Sequence, residues 1–277
     1  MMVATGHHQH TYITRNVNFH SYMDTCTATK AVSLDVKSFM ENVPDVKEES
    51  ITDYLVWRWR ELDKRFKYIN ITLFTRQQEA TTGADFELEL WLVGRKFHLP
   101  LILQAKKFIK EHDSYVAKLN YPKGTQAQLQ KLLAYAKVKK KLPFYAFYSI
   151  PDAGTQTMCK YDESDTAVFM ADANRVKEFA DGIHGTKVSK NQLLKISNPF
   201  HCMFCCPLIQ LDKYFKYYFF SQFSETKPHD NKQLPEYVSM LLDGRISENE
   251  TLDVIKRNEL RVFRVVGTYD MRDDERA

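Results

Sequence analysis

The sequence predicts an α/β (α+β) fold in which a mixed central sheet is flanked by helices and followed by a C-terminal extension. Three observations predict it. Between about residues 48 and 150 the hydrophobic period changes in the order helix, strand, strand, strand, helix, strand. One of these strands, roughly His98 to Lys106, is almost continuously apolar until it meets Gln104 and Lys106, which suits a central strand buried on both faces. The chain has 277 residues, 44% hydrophobic and 27% charged, with 9 Gly and 9 Pro, and that composition excludes collagen-like, low-complexity and globally disordered classes.

Taken in order, residues 1–47 show no sustained period and read as a partly flexible N-terminal extension. His7, His8 and His10 could bind a transition metal, but without Cys or carboxylate at ligand spacing such a cluster is more often a solvated tail. Ser50-Ile51-Thr52-Asp53 resembles a capping box with Asp in place of Glu. Behind it Ile51, Leu55, Trp59, Leu62 and Phe66 line one face of an amphipathic helix. Ile69 to Thr75 reads as a strand, and the polar run Arg76 to Thr82 as a connection.

Residues 84–92 alternate strictly, with Ala84, Phe86, Leu88 and Leu90 on one face and Asp85, Glu87 and Glu89 on the other. Gly94-Arg95 has the Gly-first pattern of a two-residue hairpin turn. That turn would set Asp85 directly opposite Gln104, with Lys106 and Glu87 on the same face. Pro122-Lys123-Gly124-Thr125 then breaks the chain before a helix from about Gln126 to Lys140, whose buried stripe is Leu129, Leu132, Leu133 and Ala136. Pro143 to Ile150 is the next strand. Beyond it the pattern gives a short strand near Ala167 to Met170, a helix near Arg175 to Ala180, an aromatic stretch Tyr214 to Phe223 and a strand Leu260 to Val266. The division expected is an extension over 1–47, a core over 48–150 and a region over 151–277 packed on it.

Several function classes fall away. No apolar stretch approaches the roughly 20 residues of a bilayer-spanning helix. The N-terminus has neither a basic nor an apolar signal region, so a cytoplasmic protein without a membrane partner is expected. Five cysteines at irregular spacing do not suggest a disulfide framework, and Cys202-Met203-Phe204-Cys205-Cys206, beside His201, reads as buried structural cysteine rather than a zinc site. A net charge of +4 permits a nucleic-acid partner without requiring one.

A carboxylate, an amide oxygen and a lysine converging at the end of a buried strand make poor packing, because unpaired buried charge is costly. A hard divalent cation held by Asp85 and the Gln104 carbonyl oxygen would compensate, since Mg²⁺ takes oxygen ligands and keeps positions for water and phosphate. Such a site suits phosphodiester hydrolysis, with the Lys106 ammonium positioning the nucleophile or stabilising developing charge. Lys106, Lys107 and Lys110, with Lys137, Lys139, Lys140 and Lys141, would form a basic rim, and Gln126 and Gln128 could reach the metal or the strand being cut.

The order of elements, with Gly83-Ala84-Asp85 on the second strand and Gln104-Ala105-Lys106 on the third, resembles the PD-(D/E)XK nuclease superfamily, the restriction-endonuclease-like fold, and within it the Mrr-like Gln-x-Lys variant. The string Glu79 to Glu87 followed by Gln104-Ala105-Lys106 also resembles an uncharacterised bacterial group of that superfamily. The resemblance covers about residues 48–150. It implies a Mg²⁺- or Mn²⁺-dependent endonuclease acting on nucleic acid, most often DNA, often with a role in restriction or defence against phage, and it leaves room for a homodimer or a sensor partner. Carried over, Asp85 would bind metal, Gln104 would be the second ligand and Lys106 the catalytic lysine, with Glu87 assisting. Members often add a Glu from the first helix; Glu49 and Glu48 precede that helix here, and Glu79 in the preceding loop is the alternative. Lys107, Lys110, Gln126 and Gln128 would touch nucleic acid. Ala84 replaces the motif's Pro, and Gln104 its acid, so metal affinity would lean on Glu87 or Glu79. A catalytically inactive binding or assembly protein on the same fold is the other reading.

Overall fold

The computed structural model describes residues 25–63, 69–73, 86–94, 98–108, 114–120, 128–159, 166–205, 233–243 and 263–270, together with Glu250, Asp253, Val254, Arg257 and Arg272. Helices α1 (Thr25–Asn42) and α2 (Glu48–Asp63) precede strands β1 (Ile69–Leu73), β2 (Phe86–Val93) and β3 (His98–Lys107). A short helix α3 (Val116–Leu119) and α4 (Gln128–Lys139) lead to β4 (Leu142–Tyr148). There follow β5 (Val168–Asp172), α5 (Ala173–Ala180), α6 (Lys190–Lys195), β6 (Ser197–Pro199), α7 (Cys202–Cys205), α8 (Glu236–Leu242) and β7 (Phe263–Asp270).

The strands form one seven-stranded mixed sheet in the order β1-β7-β2-β3-β4-β5-β6. Residues 99, 101, 103 and 105 of β3 face α1, α2 and α7, whereas Ile102 faces the layer of α4, α5, α6 and α8. β3 is therefore covered on both sides, as its apolar run predicts, and it stays buried through Lys106. The α/β expectation holds, with the mixed sheet flanked by helices.

Four features depart from the sequence reading. The first is α1, which lies inside the expected extension. It buries Ala28, Val32, Val36 and Met40, every fourth residue, against the sheet and α2. Thr29 and Ser33 are buried on the same helix and bond back to the carbonyls of Cys26 and Thr29, each at 3.1 Å. Polar residues that satisfy themselves locally hide the stripe from a hydrophobicity count.

The second is β7. It lies between β1 and β2, antiparallel to the first and parallel to the second. The 48–150 segment thus does not close on itself, and the expected boundary at residue 150 divides a continuous sheet.

The third is the β2–β3 connection. The ladder ends on Val93 paired with His98, so residues 94–97 join the strands instead of a two-residue Gly94-Arg95 turn. The register moves by two residues, which preserves the faces but changes the partners. Leu88 lies opposite Leu103, where the two-residue turn would have set it opposite Leu101.

The fourth concerns the cysteines. Cys26 is engaged in a disulfide, while Cys159 and Cys202 are thiols outside any disulfide. The irregular cysteine spacing does not suggest a disulfide framework, and the bond at Cys26 is not legible in it.

The end of α4 shows how one turn places a charge. Lys140 takes a left-handed conformation (φ 54°), and the Lys141 N–H returns to the Ala136 carbonyl at 2.9 Å. This turn starts β4 and carries the Lys141 side chain to buried Glu89 on β2, with Nζ donating to Oε1 at 2.7 Å. Trp91 Nε1 and the Tyr237 hydroxyl donate to the same oxygen, at 2.5 and 2.6 Å. Burial, then the negative charge of Glu89, push the Tyr237 phenol well above the ordinary tyrosine range. Glu89, read from alternation as one of the polar residues of its strand, instead anchors α8 to the sheet. No helix among the described residues is long and apolar enough to cross a membrane.

Candidate functional site

Gln104 and Lys106 lie two residues apart near the C-terminal end of β3, on the face that carries Ile102. β4 runs parallel to β3, and its register sets Tyr145 beside Gln104 and Phe147 beside Lys106. The pairing continues past both strands: the Phe108 N–H donates to the Tyr148 carbonyl at 2.7 Å, and Ser149 Oγ donates to the Phe108 carbonyl at 3.1 Å. Ends of parallel strands are where α/β sheets hold ligands.

Two helices close on this end. The first turn of α2 supplies Glu48, whose Oε2 accepts from the Lys107 N–H at 2.7 Å and whose Oε1 is 3.9 Å from Lys106 Nζ. Thr52, one turn along α2, lies 2.9 Å from the Tyr148 hydroxyl and fixes that turn against β4. From the other layer, Gln128 at the start of α4 accepts from Lys106 Nζ at 2.6 Å. The Lys106 ammonium, its side chain only 11% exposed, is therefore held between α2 and α4.

The electrostatics follow from this burial. Gln104 is 3% exposed; its Nε2 donates weakly to the Ala105 carbonyl at 3.4 Å, and its Oε1 is buried without a hydrogen-bond partner. The Tyr145 hydroxyl is likewise buried and unpartnered. Burial first, and the Glu48 charge second, hold the Tyr145 phenol well above its usual range, so it stays a neutral donor.

The structure brings together part of the expected set. Gln104, Lys106 and Gln128 converge, with Gln128 gripping Lys106. Glu48, not Glu49, approaches the lysine, and both belong to the first turn of α2 instead of preceding the helix; Glu49 is exposed. Lys107 turns away from the basic rim, its Nζ donating to the Val46 carbonyl at 2.5 Å. Lys137, Lys139, Lys140 and Lys141 sit where α4 enters the N-terminal end of β4, the opposite end of the sheet from Lys106. Glu87 lies on β2, one residue beyond the paired Leu88. Asp85, Glu79, Lys110 and Gln126 lie outside the described residues, as do His7, His8, His10 and the aromatic stretch 214–223.

Sequence reasoning missed Tyr145. It reads as one more aromatic of an apolar strand, and only the parallel register shows it beside Gln104.

Whether these residues suit a divalent cation turns on their donors. The open Gln104 Oε1 is a buried neutral oxygen of the kind such a cation takes, and the Glu48 carboxylate is nearby through Lys106. Among the described residues no three His, Cys, Asp or Glu cluster.

No curated protein and no solved structure matches the chain. One family model does match, over residues 25–267, running from the first residue of α1 into β7. The match takes in nearly the whole sheet together with α1, the helix that the hydrophobic pattern hides. The chain belongs to that family, DUF6615, a family of unknown function.

Proposed function

We propose that the protein is a metal-dependent nuclease that hydrolyses phosphodiester bonds of nucleic acid, DNA in the first instance, on the pattern of the PD-(D/E)XK superfamily it resembles. The observation that carries this reading is the buried end of β3, where Lys106 stands beside an open Gln104 Oε1 with Glu48 at 3.9 Å. Gln104, Glu48 and, by the resemblance, Asp85 would hold Mg²⁺ or Mn²⁺. When bound, that cation acidifies a water and offsets the charge that develops on phosphate. Gln128 holds Lys106 at the strand end, where its ammonium can meet a phosphate oxygen or orient the attacking water. Glu48 lies 3.9 Å from the Lys106 ammonium and ties the start of α2 to the backbone of Lys107.

The test is cleavage of plasmid DNA, single-stranded DNA and RNA with Mg²⁺ or Mn²⁺, comparing wild type with Lys106→Ala. Removing one such charge-stabilising group is expected to lower turnover by about 10²- to 10³-fold. If the two proteins behave alike on every substrate, the reading fails. One observation favours the other reading, an inactive nucleic-acid-binding or assembly protein: Gln128 and Glu48 already satisfy Lys106 within the protein. Salt-sensitive DNA binding that needs no metal and leads to no hydrolysis would establish it. A role in defence against phage follows from the same resemblance, and it would appear as protection of cells from infection that Lys106→Ala abolishes.

A further inference from the structure

Tyr145 belongs to no motif, and the case for it rests on the reading of the β3 end as a ligand site. The residue is fully buried on β4, is the register partner of Gln104 and shares the sheet face that carries Lys106. Its ring is fixed by stacking with Phe147, centroids 5.8 Å apart. Its hydroxyl is buried without a partner, and so is Oε1 of its register partner Gln104. The first of these atoms can donate; the second only accepts. Two buried polar atoms without partners on register-paired residues are a poor packing solution, because phenylalanine and leucine would fill the same volumes without the desolvation cost. They make sense as a pair that a ligand completes.

We propose that the Tyr145 hydroxyl is a binding residue of the site and donates its hydrogen bond to an electron-rich oxygen that arrives with the ligand. That oxygen is either a water carried by the divalent cation or a non-bridging oxygen of a phosphate. Lys106 already places one of its three donors on Gln128 and faces Glu48, so Tyr145 would add a donor that does not draw on that lysine. A neutral phenol adds a donor without adding charge next to a neutral amide acceptor.

The experiment titrates MnCl₂ alone and inorganic phosphate alone into the full chain by calorimetry, for wild type, Tyr145→Phe and Gln104→Leu. Tyr145→Phe is expected to weaken one of the two probes by about 10- to 100-fold, the loss of one hydrogen bond to a charged group. The melting temperature of the unliganded protein should stay the same or rise, because an open hydroxyl leaves no partner behind. Weakened Mn²⁺ with unchanged phosphate assigns the oxygen to a cation-bound water, and the reverse assigns it to phosphate. Gln104→Leu is expected to weaken the same probe. If wild type binds either probe and Tyr145→Phe binds it equally well, the inference is overturned while the nuclease reading stands. If wild type binds neither probe, both fall. A lower melting temperature or failure to fold in Tyr145→Phe would mark the hydroxyl as structural and also overturn the inference.

Discussion

Lys106 Nζ donates to Gln128 Oε1 at 2.6 Å, so the lysine at the end of the central strand is held by the first residue of the helix that crosses to β4. One contact thereby couples the position of α4 to the chemistry of β3.

Breaking that contact should be felt in stability before activity. Gln128→Leu leaves a largely buried ammonium with Glu48 3.9 Å away, and it is expected to cost about 1–3 kcal/mol. Adding Lys106→Met should recover part of the loss, because the pair is then replaced by apolar groups together. Urea denaturation of the two single variants and the double variant measures the coupling.

The Glu89 centre should be the most sensitive polar position in the core. Its Oε1 accepts from Trp91, Lys141 and Tyr237, and it is fully buried. Glu89→Leu strands a buried ammonium and two other donors and is expected to destabilise by about 3–5 kcal/mol. Equilibrium unfolding of this variant checks the figure; a change below about 1 kcal/mol would mean that the network carries little of the α8 attachment.

Asp152 provides an acid-side prediction. Hydrogen bonds from Lys190, then from Asn191, hold its carboxyl at about 2, below the ordinary aspartate value of 3.8. A depressed folded value means that the contribution is fully present above the unfolded pKa and is lost as pH falls from about 4 towards about 2. The side chain is 42% exposed, so screening keeps the effect small. Melting curves should place Asp152→Asn below wild type at pH 6, with the gap narrowing as the pH drops to 2.

The placement of β7 predicts that residues 48–150 do not fold when expressed alone. Without β7, β1 loses its partner and β2 loses one of its two neighbours in the middle of the sheet. Proton spectra of that fragment should lack dispersed amide and methyl signals, whereas a chain ending after β7 should show them.

Much of this was legible in local pattern. The apolar run 99–103 announced a strand buried on both faces, and the position of Gln104 and Lys106 at its end is a direct consequence. The amphipathic spacing of α2 and α4 located both helices to within about three residues of their observed starts. What could not be read locally was pairing. The β2–β3 register depends on how residues 94–97 turn, and a two-residue change there moves the partner of Leu88 from Leu101 to Leu103 while leaving every face unchanged. The role of Glu89 was hidden for a related reason: a carboxylate alternating with apolar residues looks solvated until α8 and Lys141 arrive over it.

The sequence by itself determined the fold class, the central strand and the residue types at its end, because hydrophobic period and burial are properties of short windows. The tertiary structure decided which residues meet. It brought Glu48 rather than Glu49 to Lys106, set Tyr145 beside Gln104, sent Lys137–Lys141 to the far end of the sheet and put the last strand between β1 and β2. The physical reason is that each of these relations joins segments far apart in the chain through strand order and helix packing. Such contacts minimise the free energy of the whole sheet and leave no trace in the local alternation of apolar and polar residues.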